Sequence, residues 1–216
     1  MVIVTGLPRS GTSMMMKMLE AGGIAVITDR QRQADEDNPN GYFELEQVKE
    51  IKRNHSWLDS STGEAVKMVS MLLYDLPQDR DYILIFMKRN LDEVIASQKV
   101  MLARKGESPR AEDDEMKQLY LKHLSEIETW LAERKNVKIL YINYEEVVKQ
   151  PLETSINIQN FLGRSLNIDN MINSVDPTLY RQRSAGITAD IQEKESGLSE
   201  LDNEKIREQL ASLGYM

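Results

Sequence analysis

Apolar residues along the chain follow two rhythms, and the switches between them outline its elements. Val2 to Thr5 is a short β-branched run of the kind that forms a buried strand. From Thr12 the spacing turns helical, with Met14, Met15, Met18 and Leu19 on one face and Gly22-Gly23 as the stop. Ile24 to Ile27 predicts a second short strand, and Thr28 to Tyr42 is then polar and charged, broken by the turn Asn38-Pro39-Asn40-Gly41. A loop of that length in this place reads as a lid or binding loop. Leu45, Val48 and Ile51 predict a helix from Glu44 to Leu58, and Ala65 to Leu73 a strand running toward a turn at Pro77.

Tyr82 to Met87 is apolar throughout, as central parallel strands are. Asn90, with Glu93 three residues on, opens a helix that buries Leu91, Val94, Ile95, Met101 and Leu102. After a polar break from Arg104 to Asp114, a long amphipathic helix spans Glu115 to Lys135, and Val137 to Ile142 is the last strand. Pro151 opens a helix that Gly163 stops, and a final helix falls around Asp202 to Leu213. Strands alternating with helices predict the α/β class: a three-layer α/β/α arrangement around a mostly parallel sheet, with ligands at the carboxyl ends of the strands. The length suits one domain, residues 1–216, with a polar lid around 28–44 and a polar tail from about 165.

Composition narrows the class. Net charge is −8, which argues against a general nucleic-acid binder and confines any polyanion contact to a local patch. The chain has no cysteine and two histidines, so disulfides and thiol chemistry are out and a zinc site is not expected. No signal peptide or membrane-inserting run is visible, so a cytoplasmic location is the default expectation.

The chemistry is concentrated at the first turn. Gly6-Leu7-Pro8-Arg9-Ser10-Gly11-Thr12-Ser13 links a strand to a helix through a loop with glycine at each end. Loop N–H groups and the positive end of the helix make such a turn an anion cradle. It nearly matches the nucleotide-binding P-loop, but Thr12 stands where that loop carries lysine, and the cation sits inside the loop as Arg9. The cradle therefore favours a ligand without a triphosphate chain. A second pair of donors follows the central strand: Arg89 at its end and Ser97 eight residues on, able to hold a phosphate by a forked cation and a hydroxyl.

Leu7-Pro8-Arg9-Ser10-Gly11-Thr12-Ser13 resembles the 5′-phosphosulfate loop of the sulfotransferases, in the Pro-Arg-Ser-Gly-Thr form of the tyrosylprotein branch and many bacterial members. Cytosolic members carry lysine where this chain has Arg9. Phe86 to Ser97 is similar to the family's 3′-phosphate motif, with Arg89 and Ser97 at matching positions. Tyr144-Glu145, followed by Phe161-Leu162-Gly163, is a softer likeness, so the resemblance spans roughly residues 2 to 163. It implies a P-loop fold, 3′-phosphoadenosine 5′-phosphosulfate (PAPS) as donor, adenosine 3′,5′-bisphosphate (PAP) as product, and Pro8, Arg9, Ser10, Gly11, Thr12, Ser13, Arg89 and Ser97 as cofactor contacts. The Arg-Lys-Gly run of cytosolic members is missing from the tail, where Arg181 and Arg183 are the available cations. The tyrosylprotein enzymes are anchored in a secretory compartment, and that location does not transfer.

Sulfonate transfer builds negative charge on the oxygen bridging sulfur and phosphorus, which Arg9, the loop N–H groups and the Thr12 and Ser13 hydroxyls are placed to meet. Fixed cations stabilise such a leaving group without a metal. An acceptor hydroxyl also needs a base. Cytosolic relatives use histidine, and tyrosylprotein and several bacterial relatives a glutamate soon after the first helix, so Glu44 is the first choice and His55 the second, ahead of Asp35, Glu36 and Glu46. The acceptor is open among a small molecule, a glycan, a peptide tyrosine and a lipid headgroup, and the cations of the Arg104 to Arg110 break hint at an acidic one. Two other readings compete: a P-loop NTP-dependent phosphotransferase with Asp29 or Asp75 on Mg²⁺, and a nucleotide-binding protein without catalysis.

Overall fold

In the computed structural model, which describes residues 1–60, 63–182 and 197–216, the apolar run at the start is β1 (Val2–Gly6), every residue of it buried. It lies at the centre of a five-stranded sheet with β2 (Val26–Ile27), β3 (Ala65–Val69), β4 (Tyr82–Lys88) and β5 (Val137–Asn143) in the order β2-β3-β1-β4-β5. Every pairing is parallel, with Val4 between Lys67 and Ile85. The expected α/β class with a parallel sheet is what the chain adopts.

The described residues group into two compact units, Met1–Arg89 with Lys135–Tyr180, and Asn90–Arg134 with Arg181–Met216. The first unit holds the sheet, α1 (Thr12–Ala21), α4 (Tyr144–Lys149), α5 (Pro151–Leu162) and α6 (Ile168–Ser174). Its core joins Val2, Val4 and Ile85 of the strands to Met15, Met16, Met18 and Leu19 of α1 and Met171 of α6. The methionines from Met15 to Met18 are thus core filling, each burial stabilising by roughly 1.5–3 kcal/mol, and their unbranched chains adapt to the gaps.

The second unit holds α2 (Leu91–Arg104), α3 (Asp113–Ala132) and α7 (Glu200–Leu213). Asn90 caps α2 through its side chain, which accepts from the Asp92 and Glu93 N–H groups. Gln98 Oε1 accepts from Tyr120 Oη at 2.8 Å and Gln209 Nε2 at 3.2 Å, satisfying buried polar groups on all three helices. The break after α2 is engaged rather than open. Lys105 Nζ donates to the Leu213 carbonyl at 2.8 Å and Arg110 Nη2 to Ser212 Oγ at 2.7 Å, so both cations serve the carboxyl end of α7.

The helix expected over Glu44 to Leu58 is instead two short 3₁₀ segments, Glu46–Glu50 and Ser56–Ser60. Leu45, Val48 and Ile51 recur every three residues, which is the 3₁₀ period and not the 3.6 of an α-helix. The strand expected over Ala65 to Leu73 stops at Val69 and continues as a 3₁₀ turn, Ser70–Asp75.

Candidate active site

The turn after β1 bends tightly: Ser10 N–H donates to the Leu7 carbonyl at 3.1 Å, and Arg9 is held at φ 75°, a left-handed conformation rare outside glycine. Gly11, at φ 98°, precedes α1, and no side chain caps that helix. A side chain at Gly11 is excluded twice, because a Cβ there would meet Tyr144 Cδ2 at 2.4 Å. The N–H groups of the first turn of α1, including Thr12 and Ser13, have no carbonyl within the helix to bond. Ser10 is 2% exposed, and its hydroxyl is buried without a hydrogen-bond partner. Pro8 and Thr12 are buried, and Arg9 and Ser13 are half-buried.

Arg89, at the end of β4, donates from Nη1 to the Arg9 carbonyl at 3.0 Å, and its guanidinium lies 4.4 Å from the Tyr144 ring centroid and 5.3 Å from that of Tyr180. These two rings meet edge to face at 5.1 Å. The cation thus braces the strained Arg9 peptide while held between aromatic faces. Ser97 is buried on α2 in the second unit. Arg181 is exposed, and Arg183 lies outside the described residues.

The polar loop folds over the cradle. Arg9 Nη2 donates to the Asp37 carbonyl at 2.7 Å, and Lys17 Nζ donates to Asn40 Oδ1 at 2.8 Å. Ser13 Oγ donates to the Tyr42 carbonyl at 3.2 Å and accepts from Asn38 Nδ2 at 3.0 Å. Ser13, expected on the cofactor, is here engaged with the lid. The two ends of the loop are also tied, since the Glu44 carbonyl accepts from Thr28 Oγ1 at 2.8 Å and from the Asp29 N–H at 3.1 Å. Asp29 accepts from the N–H groups of Gln31 and Glu46, so it serves the turn.

Glu44 is 8% exposed, and this chain returns it to the cradle by a left-handed residue, Phe43 at φ 54°. Its Oε1 lies 3.1 Å from Arg32 Nη1 and 3.3 Å from Lys67 Nζ, while Oε2 is buried with no hydrogen-bond partner. Lys67 also donates to the Tyr42 carbonyl. Burial lowers the Lys67 ammonium to about 8 against the opposing pull of Glu44, with Arg32 and Arg9 adding to the lowering. Tyr42 Oη donates to Asp35, and burial of that carboxyl is outweighed by the bonds from Tyr42, Asn38 and Asp37 and by Arg32, which hold it below the usual range. Glu46 is exposed and paired with Lys49. His55 is exposed and leads into Ser56–Ser60, whose Asp59 accepts from Arg80 Nη1 at 2.8 Å just before β4; that is the amino end of the strands, whereas the cradle is at their carboxyl end.

Sequence reasoning did not single out Lys67, Arg32 or Tyr180, and it met Tyr144 only within the Tyr144-Glu145 likeness, without a place beside Gly11 or Arg89. Lys67 had a signal, a lone cation in the buried strand Ala65–Val69. Arg32 had none, being one of many charges in the loop. Among the described residues no group of three or more His, Cys, Asp or Glu could hold a metal ion, and no helix is long and apolar enough to cross a membrane.

Solved structures with the same fold include the sulfotransferase domain of the Synechococcus PCC 7002 olefin synthase, 16% identical, with 98% of this chain and 94% of that one covered at a TM-score of 0.52. The sulfotransferase domain of the curacin biosynthetic pathway is 14% identical, with 97% and 96% covered and a TM-score of 0.52. Sulfotransferase STF1 of Mycobacterium tuberculosis H37Rv is 13% identical, with 100% and 76% covered and a TM-score of 0.50. No curated protein sequence matches. The family model described as the sulfotransferase domain matches residues 1–209, nearly the whole chain, and the chain belongs to the sulfotransferase family.

Proposed function

We propose that this sulfotransferase uses PAPS as donor and a hydroxyl as acceptor, with the cradle around Arg9 holding the 5′ end of the donor, Arg89 its 3′-phosphate and Glu44 acting as base. The observation that carries the reading is the buried Ser10 hydroxyl without a partner beside an uncapped helix N-terminus. Unsatisfied donors of this kind are costly unless an anion receives them, so the residues fit a phosphate-containing ligand. When bound, the donor supplies the sulfonate and departs as PAP.

The chain's own part is to bind, orient and move one proton. Arg9 and the N–H groups of Thr12 and Ser13 donate toward the 5′ end, where negative charge grows during transfer. Pro8 and Gly11 shape the backbone that lets those groups converge. Glu44 takes the acceptor's proton, and its place beside the cradle supports it over His55, which stands at the other end of the strands. The assignment of Ser97 to the 3′-phosphate rests on its spacing from Arg89 in the sequence. A labelled-donor screen over phenols, sugars and tyrosyl peptides identifies the acceptor class.

Titration calorimetry tests the donor. Arg89→Ala is expected to weaken PAP by roughly 1.5–3 kcal/mol, the value of a hydrogen bond to a charged group, and AMP by at least tenfold less in affinity ratio, since AMP lacks the 3′-phosphate. Equal losses for PAP and AMP would show that Arg89 only braces Arg9 and would overturn the 3′-phosphate assignment. Ser97→Ala, titrated alongside, is held to the same comparison.

A further inference from the structure

Glu44 presents two unlike oxygens. Oε1 is bound by two cations, Arg32 Nη1 at 3.1 Å and Lys67 Nζ at 3.3 Å, whereas Oε2 is buried and has no partner. Lys67 comes from the sheet, but Arg32 comes from the lid. Its guanidinium lies 3.5 Å from the Tyr42 ring centroid, and that ring is fixed in turn by the bond from its hydroxyl to Asp35, also in the lid. A planar cation stacked on a ring and paired with a carboxylate has little rotational freedom. The carboxylate plane is then set by the lid as much as by the sheet.

We propose that Arg32 is a positioning residue for Glu44: from the lid it ties Oε1 and leaves Oε2 as the atom that receives the acceptor's proton. This rests on the reading of Glu44 as the base. It makes the base competent only while the lid is docked on the cradle, the state in which Ser13 and Lys17 hold Tyr42 and Asn40. The proton transfer accompanies sulfonate transfer. The acceptor O–H bond breaks, its proton forms an O–H bond on Oε2 and its electron pair forms the new oxygen–sulfur bond, while the bond from sulfur to the bridging oxygen breaks and its electron pair leaves on the 5′-phosphate of PAP.

The full-length chain is tested as wild type, Arg32→Ala, Glu44→Gln and the double variant. Hydrogen exchange needs no acceptor: in Arg32→Ala the lid amides of Asp29, Asn38 and Gly41 are expected to exchange about tenfold faster, with β1 and β4 unchanged. Turnover is followed with 4-nitrophenol as probe acceptor. Arg32→Ala is expected to lower kcat on the order of 10–100-fold while the donor KM stays within about twofold, a split that general loss of structure does not produce. In the Glu44→Gln background the Arg32 change is expected to add less than about twofold, because the two act as one unit. Unchanged lid exchange in Arg32→Ala, or a full second loss in the double variant, overturns the proposal and leaves Glu44 as base. Near-normal kcat in Glu44→Gln instead overturns the base assignment itself.

Discussion

Lys67 places an ammonium inside a parallel sheet, an expensive position unless charge and hydrogen bonds meet it. Glu44 and the Tyr42 carbonyl do so only in part, and burial still lowers the group from 10.5 to about 8. Between those two values the unfolded chain holds a proton that the folded chain has released. Stability therefore rises with pH across that window, and the full cost of the buried charge is present below it. The shift corresponds to something on the order of 3 kcal/mol. Denaturant unfolding of wild type and Lys67→Met isolates this group: from pH 8 to pH 10.5 the wild type is expected to gain by about that amount relative to the variant. A flat difference would mean that the lysine keeps its proton in the fold. The loss of Arg32 from the same carboxylate acts through geometry rather than titration, which is why its test reads kcat and exchange.

At the level of elements, the cradle depends on one close approach between chain segments far apart in sequence. Gly11 needs its left-handed φ of 98° and the space that a Cβ would take from the Tyr144 ring of α4. Gly163, which ends α5 at φ 65°, would meet nothing within 4 Å if it carried a Cβ. Alanine at either position meets the left-handed penalty of roughly 1–2 kcal/mol. Only Gly11→Ala must also displace a buried ring, so it is expected to be the less stable of the two by denaturant unfolding and to lose PAP binding by calorimetry, while Gly163→Ala binds normally. Equal stability with equal PAP affinity would mean that Tyr144 yields freely and does not shape the cradle. The same contrast explains what could be read in advance. β1, β4 and α1 were legible because each is a local pattern bounded by glycine or a cap. The turn from Gly6 to Ser13 was legible because it is one run of consecutive residues between β1 and α1. Glu46–Glu50 was misread because three apolar residues are too few to separate period 3 from 3.6. α4 and α6 are too short to announce themselves by periodicity. Lys67 and Glu44 lie 23 positions apart, and Ser13 and Tyr42 lie 29 apart; a parallel crossover and a folded loop bring them together, and no short-range pattern encodes either.

For the whole molecule the notable balance is between an acidic chain and a cationic site. With a net charge of −8, the protein repels polyanions in general, yet Arg9, Arg32, Lys67 and Arg89 all belong to the unit that carries the cradle. Binding of an anionic nucleotide must then be local and short-ranged, and it should weaken as salt screens the exposed part of the attraction. A ligand that binds only the folded chain stabilises it by about 2.7 kcal/mol at a hundred times its dissociation constant. In a chain of this size each kcal/mol raises Tm by roughly 2–4 °C, so PAP at that excess should raise it by about 5–10 °C. ATP with Mg²⁺ is expected to give a smaller shift at equal concentration, because Thr12 replaces the lysine that would reach a triphosphate. AMP should fall below PAP by the share of the 3′-phosphate. The shift with PAP should shrink on raising salt from about 0.05 to about 0.5 M, the range over which the screening length falls several-fold. A larger shift with ATP and Mg²⁺ than with PAP would overturn PAPS as the donor and reopen the phosphotransferase reading of the loop. The expected order, PAP above AMP above ATP with Mg²⁺, follows from where the cations stand: one inside the first loop, one at the end of β4, and none directly after Gly11.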